Sequence, residues 1–112
     1  MSKAWFWVLI GGVFETLWAT TMDLSDGFSD LFWTVVTILI LPISVVFLNK
    51  GMSMGLPTGP SYSVWVGIGA IGSVIVGMIL FGEFPSISGY FFLLLIIAGV
   101  IGLNMVTKSA ED

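Results

Sequence analysis

The sequence predicts an all-α membrane protein of four transmembrane helices joined by short loops. Three observations carry this. Four predominantly apolar runs follow one another, each near the ~20 residues that span a hydrocarbon core of ~30 Å as a helix. Only 9% of the 112 residues are charged and 57% are hydrophobic, whereas a soluble domain carries roughly a quarter charged residues. Four of the seven acids, Asp23, Asp26, Asp30 and Glu83, fall in the short breaks between the runs. Residues 1–112 therefore read as a single four-helix membrane domain.

The first helix is expected over residues 4–22, with Trp5 and Trp7 at its start, where amphipathic rings favour the headgroup level. Lys3 before an apolar stretch looks a little like a signal peptide. Glu15 within the apolar region and the lack of a convincing cleavage site argue against one. Asp23 to Asp30 forms a polar turn with three acids and no base. The second helix is expected over 31–49. Pro42 falls inside it and removes the donor for the Ile38 carbonyl, which predicts a kink. Ser44 lies just beyond, and its ordinary fate is to bond a backbone carbonyl of its own helix. Residues 50–57 form the second loop.

The third helix is expected over 58–81. Tyr62, Trp65 and Gly69 share one of its faces. Gly67, Gly69 and Gly72 leave it poor in side chains, which permits close helix approach and bending. Their G-x-G-x-x-G spacing is no dinucleotide fingerprint, because no strand precedes it. Glu83 falls in the third loop, where an acid is ordinarily solvated. The fourth helix is expected over 87–107, with Gly99 and Gly102 as small packing residues and Asn104 as a hydrogen-bonding group.

Glu15 is the chemical centre of the chain. Residues 4–22 hold no other ionisable group. An acid at that depth is costly, and such acids face a partner, a cavity or an ion pathway. The plainer role is to cap a neighbouring helix or bond a backbone group. Gly11, Glu15 and Trp18 lie on one helical face, giving a small residue, an acid and an aromatic wall. There is no cysteine and no histidine, so the sequence offers no disulfide framework, no metal centre and no call for a cofactor. The net charge of −4 gives nucleic acid no footing. One acid without a base or nucleophile beside it is also little for an enzyme. A chain this small cannot easily enclose a substrate cavity. Two copies would bring two acids towards one site, with the fourth helix as a seam.

The motifs also resemble a known family. Glu15-Thr16-Leu17-Trp18 and Pro57 to Gly69, which includes Tyr62-Ser63-Val64-Trp65 and Gly67-Ile68-Gly69, are similar to the small multidrug resistance transporters. Leu80 to Glu83 and Gly99 to Leu103 extend the likeness over nearly the whole chain. Trp18, three residues after the acid, resembles the guanidinium-exporter subtype more than the quaternary-ammonium subtype, where a small residue is usual. The resemblance implies antiparallel dimers in the bacterial inner membrane that exchange protons for small cations. It implies that Glu15 holds proton or substrate in alternation. Trp18, Ser44, Tyr62 and Trp65 would line the pocket, and Ser44 and Tyr62 would orient the carboxylates. The chain departs from that subtype at Asp23, where a base is usual, at Asn104, where a lysine is usual, and at Pro60.

The bases add a constraint of their own. Lys3, Lys50 and Lys108 are the whole set. With four spans they share one side, which the positive-inside rule makes cytoplasmic, so both termini are expected inside. An antiparallel homodimer requires one chain to insert both ways. Such a bias instead favours a homologous partner inserted oppositely. Three functions follow: a guanidinium exporter working as half of a heterodimer, a broader exporter of lipophilic quaternary ammonium cations, or a non-transporting membrane subunit.

Overall fold

The structure, a computed structural model, describes residues 3–107 and contains four helices. They are α1 (Lys3–Leu24), α2 (Leu31–Ser53), α3 (Thr58–Leu80) and α4 (Ile87–Val106). Lys108 and the tail lie outside the described residues. The starts of α2 and α4 follow from side-chain caps. Asp30 accepts from the Trp33 N–H at 3.1 Å, and Ser86 accepts from the Gly89 N–H at 3.2 Å. The end of α3 follows from Gly82, whose φ of +63° is the left-handed cap glycine supplies at least cost. It lets the N–H groups of Phe81 and Glu83 both reach the Gly77 carbonyl, at 3.1 and 3.0 Å.

Two expectations need correction. α2 does not stop at residue 49 but continues to Ser53. Gly51, within that extra turn, is buried against α1, and the packing outweighs the weak helix propensity of Gly and Ser. Trp5 stands at the start of α1, as expected, but its ring is turned into the protein. It is 2% exposed, in a core with Ala4, Val8, Leu48, Leu56, Val64 and Trp65. Trp7 stacks on Phe47, with ring centroids 5.5 Å apart, and Lys50 Nζ lies 5.4 Å from the Trp7 ring. α2 runs through Pro42 as one helix.

The helices form a slab of 43 × 35 × 18 Å. α1 packs between α2 and α3, and α4 is laid against α3. α2, α3 and α4 are each long and apolar enough to cross a membrane. α1 carries Glu15 among its glycines and threonines, and it is held alongside them, with its polar groups turned towards its neighbours. No described residue of α4 is buried. Most of its leucines, isoleucines and phenylalanines face outwards, as lipid or a second protein surface would allow, while Val100 and Leu103 pack against the core.

Hydroxyls fasten α1 to α2. Thr37 Oγ1 lies 2.7 Å from Thr21 Oγ1 and 2.8 Å from the Trp33 carbonyl, and Thr21 donates in turn to the Trp18 carbonyl at 3.0 Å. Thr37→Val keeps the shape and removes this link. Membrane-buried bonds of this kind are worth about 0.5–1.5 kcal/mol, so a loss of that size is expected in thermal unfolding in detergent.

Candidate functional site

α1 and α3 run in the same direction, and their contact is a ladder of small residues. Gly12 meets Ile68, Glu15 meets Gly69, and Thr16 meets Gly72. Each step forward on one helix is a step forward on the other. The Glu15 side chain lies so close to Gly69 that a Cβ there would sit 2.5 Å from Oε2 and 2.9 Å from Cγ. Oε2 is buried and has no hydrogen-bond partner. A buried oxygen without a donor is unfavourable, and the site gains from any donor that reaches it. One turn further along α1, the Trp18 indole N–H is likewise buried and unpartnered.

One turn before Glu15 lies a knot of three helices. Ser44, 0% exposed, donates to the Gly11 carbonyl at 2.8 Å and accepts from Trp65 Nε1 at 3.2 Å. The carbonyl Ser44 reaches belongs to α1, not to its own helix as expected. Gly11 is required for this approach, since a Cβ there would be 3.0 Å from Trp65 Cδ1 and 3.1 Å from the Ser44 carbonyl. Within this one subunit, Ser44 is committed to Gly11 and Trp65. Tyr62 is 53% exposed, and its ring lies 5.6 Å from that of Trp65, tilted by 40°. The structure therefore groups Gly11, Ser44 and Trp65 one turn from the acid and leaves Tyr62 on the slab surface.

The glycines divide by partner. Gly67 faces Val100 of α4, whereas Gly69 and Gly72 face α1. Gly99 and Gly102 have open space where a Cβ would be. Gly99 lines an apolar groove of about 390 Å³ between α3 and α4, with Tyr62 and Val66 opposite. A second cleft, of about 140 Å³, opens between the ends of α1 and α3, lined by Thr20, Asp23, Ser73, Gly77 and Glu83. The loop acids stand at that end of the slab, and Lys3 and Lys50 stand at the other. Thr16 was not singled out from the sequence. Its position, one turn from both Gly12 and Thr20, is the signal that would have marked it.

Comparison with known proteins gives concordant matches. The profile of the family described as Small Multidrug Resistance protein matches residues 3–96. A protein of Yersinia pestis named guanidinium exporter is 40% identical over 104 residues, covering 93% of this chain and 99% of that protein. Another of that name from Salmonella typhimurium strain LT2 is 40% identical over 102 residues, covering 91% of this chain and 96% of its own length. A third, from Citrobacter freundii, is 39% identical over 104 residues, covering 93% and 98%.

Proposed function

Since this chain belongs to the Small Multidrug Resistance family, we propose that it exports guanidinium-like cations in exchange for protons, as one half of an antiparallel dimer. The observation that carries this is the Glu15 carboxyl, with one oxygen buried and unpartnered in the middle of the ladder. Guanidinium is a planar cation rich in N–H donors, and a carboxylate takes it by forked, charge-assisted hydrogen bonds. Aromatic rings such as Trp18, Tyr62 and Trp65 suit its faces. Exchange needs no further cofactor. A carboxyl holds a proton or a cation, not both, and that exclusion couples the two flows.

Support for a dimer comes from the shape of the subunit. A slab 18 Å thick has one helix with no buried residue, and Gly99 and Gly102 stand open on it. A second subunit across this slab would bring its own acid and aromatic side chains to the site. Support for a homologous rather than an identical partner comes from the lysines. With four spans, Lys3, Lys50 and Lys108 are expected on one side, and the positive-inside rule then favours both termini in the cytoplasm of a bacterial cell, with the partner inserted oppositely.

The test is guanidinium-driven proton movement in proteoliposomes, with this chain alone and then with a homologous small subunit. Activity only with the partner is the expected result. Activity of the chain alone would assign a homodimer. No guanidinium exchange in either, with exchange of a quaternary ammonium cation instead, would overturn the substrate assignment. Reporter fusions at the C-terminus are expected to report one orientation, and equal populations on both faces would refute the fixed topology.

A further inference from the structure

Thr16 follows Glu15 in sequence, and both side chains end on the same turn of α3. Thr16 is 8% exposed. Its hydroxyl lies 3.3 Å from the Gly69 carbonyl oxygen and 3.4 Å from the Gly12 carbonyl of its own helix. It has one proton and two acceptors at nearly equal distance. Its hydroxyl, β-carbon and methyl together fill the notch left by Gly72, where an added Cβ would run into Oγ1 first and come within 3.0 Å of both carbons. Gly69 is thus held at two atoms. Its Cα side faces the Glu15 carboxyl, and its carbonyl faces the Thr16 hydroxyl.

We propose that Thr16 and Gly69 are positioning residues that set the reach of the Glu15 carboxyl, on the reading that Glu15 is the exchange site. Gly69 leaves the volume that the carboxyl occupies. Thr16, when it donates to the Gly69 carbonyl, keeps that turn of α3 against α1, so the volume stays where the acid needs it. When the proton turns to the Gly12 carbonyl, that hydrogen bond between the helices is lost and only the packing on Gly69 and Gly72 holds the turn. Both residues act through Glu15, and neither needs to touch the substrate. A Cβ at position 69 would stand 2.5 Å from Oε2, 2.8 Å from Cδ and 2.9 Å from Cγ, so the whole end of the Glu15 side chain must move.

The geometry supplies its own rescue. Aspartate withdraws the carboxyl by one methylene, roughly 1.3 Å, which makes room for the methyl of alanine. Gly69→Ala alone is expected to weaken the apparent affinity for guanidinium by about ten- to a hundredfold, the usual cost of displacing a reacting group by about an ångström. Glu15→Asp alone is expected to weaken it too. The double variant is expected to bind better than Gly69→Ala alone, a coupling opposite in sign to two independent defects. Thr16→Val exchanges the hydroxyl, which itself lies in the Gly72 notch, for a methyl of similar shape and so removes the hydrogen bond. It is expected to weaken affinity, with Thr16→Ser restoring it.

Carboxyl placement is also read without transport, as the rate at which a hydrophobic carbodiimide modifies residue 15, followed by peptide mass spectrometry. Faster modification is expected in Gly69→Ala and Thr16→Val, and a rate near wild type in Thr16→Ser and in the double variant. A Thr16→Val protein that labels and exchanges like wild type would overturn the proposal, as would a double variant no better than the worse single. Should the labelling pattern hold while no variant or wild-type protein exchanges guanidinium, the positioning stands and the transport reading falls. Should exchange be present and labelling unchanged across the set, the positioning falls alone.

Discussion

Glu15→Gln is expected to remove guanidinium-driven proton movement while leaving the protein at least as stable as wild type. The two halves of that result come from one fact. The carboxyl is the ionisable group of α1's interior, and one of its oxygens is buried without a donor. Glutamine has the same shape and packs on Gly69 in the same way. It cannot take up or release a proton, and it cannot balance a cation. A hydrogen bond to a charged group is worth about 1.5–3 kcal/mol, so loss of the charge weakens cation binding by roughly ten- to a hundredfold. Proton movement falls further, because no titrating group remains in the interior of α1. In a dimer the partner's acid remains, so the reconstituted pair is expected to retain less than about a tenth of wild-type exchange.

Stability is expected to move the other way, or not at all. A polar group buried without a partner lowers stability, and a charged one does so more than an amide. If Glu15 served chiefly to hold α1 against α3, Glu15→Gln would instead lower the unfolding temperature in detergent and leave the exchange kinetics largely intact. Measuring both on the same preparation separates a chemical role from a structural one. The non-transporting subunit reading survives only if the exchange phenotype is untouched.

Much of this architecture was legible because lipid is a demanding solvent. Backbone groups must be satisfied within the span, so apolar runs of this length have only the helix available. In the structure the first residues of α2 and α4 are fixed by Asp30 and Ser86, whose side-chain oxygens cap the helices. Glu15 could be singled out because one acid in such a run has no ordinary reason to be there. What could not be read was which surfaces meet. α1 is lined by glycine and threonine on the sides that face α2 and α3, and small residues carry no label for their partner. Ser44 was legible as a hydroxyl needing an acceptor, yet the acceptor is Gly11, 33 residues away in the chain. Tyr62, Trp65 and Gly69 share a helical face by spacing, but α1 covers only the last two. Trp5 shows the same limit. Its ring suits an interface by chemistry, and neighbours supplied by three other segments bury it.

Gly51→Ala tests the clearest of these misreadings, and its sign is the decisive quantity. In a loop, or on a lipid-facing helix, alanine for glycine would be neutral or would stabilise by up to about 1 kcal/mol through helix propensity. Against α1, the new methyl would stand 2.5 Å from Val8 Cγ2 and 2.8 Å from the Ala4 carbonyl oxygen. Valine is β-branched and has little freedom to turn aside, and a backbone carbonyl has less. The ends of α1 and α2 must therefore separate. Overpacking of this kind costs about 1–3 kcal/mol, and it exceeds the propensity gain in most of that range. Val8→Ala removes one of the two obstacles and leaves the carbonyl in place. Alone it opens a cavity in the core of Trp5, Leu48 and Val64, at a cost of about 1–3 kcal/mol. Combined with Gly51→Ala, the new methyl occupies part of that space. The double variant is expected to be less destabilised than the two losses added, yet short of wild type, because the Ala4 carbonyl has not moved. Thermal unfolding in detergent of the four proteins reads all of this directly. A Gly51→Ala protein as stable as wild type would mean that α2 ends before residue 51 and that its last turn is not packed on α1. The same separation would draw Lys50 away from the Trp7 ring, so tryptophan fluorescence is expected to shift in step with the loss of stability.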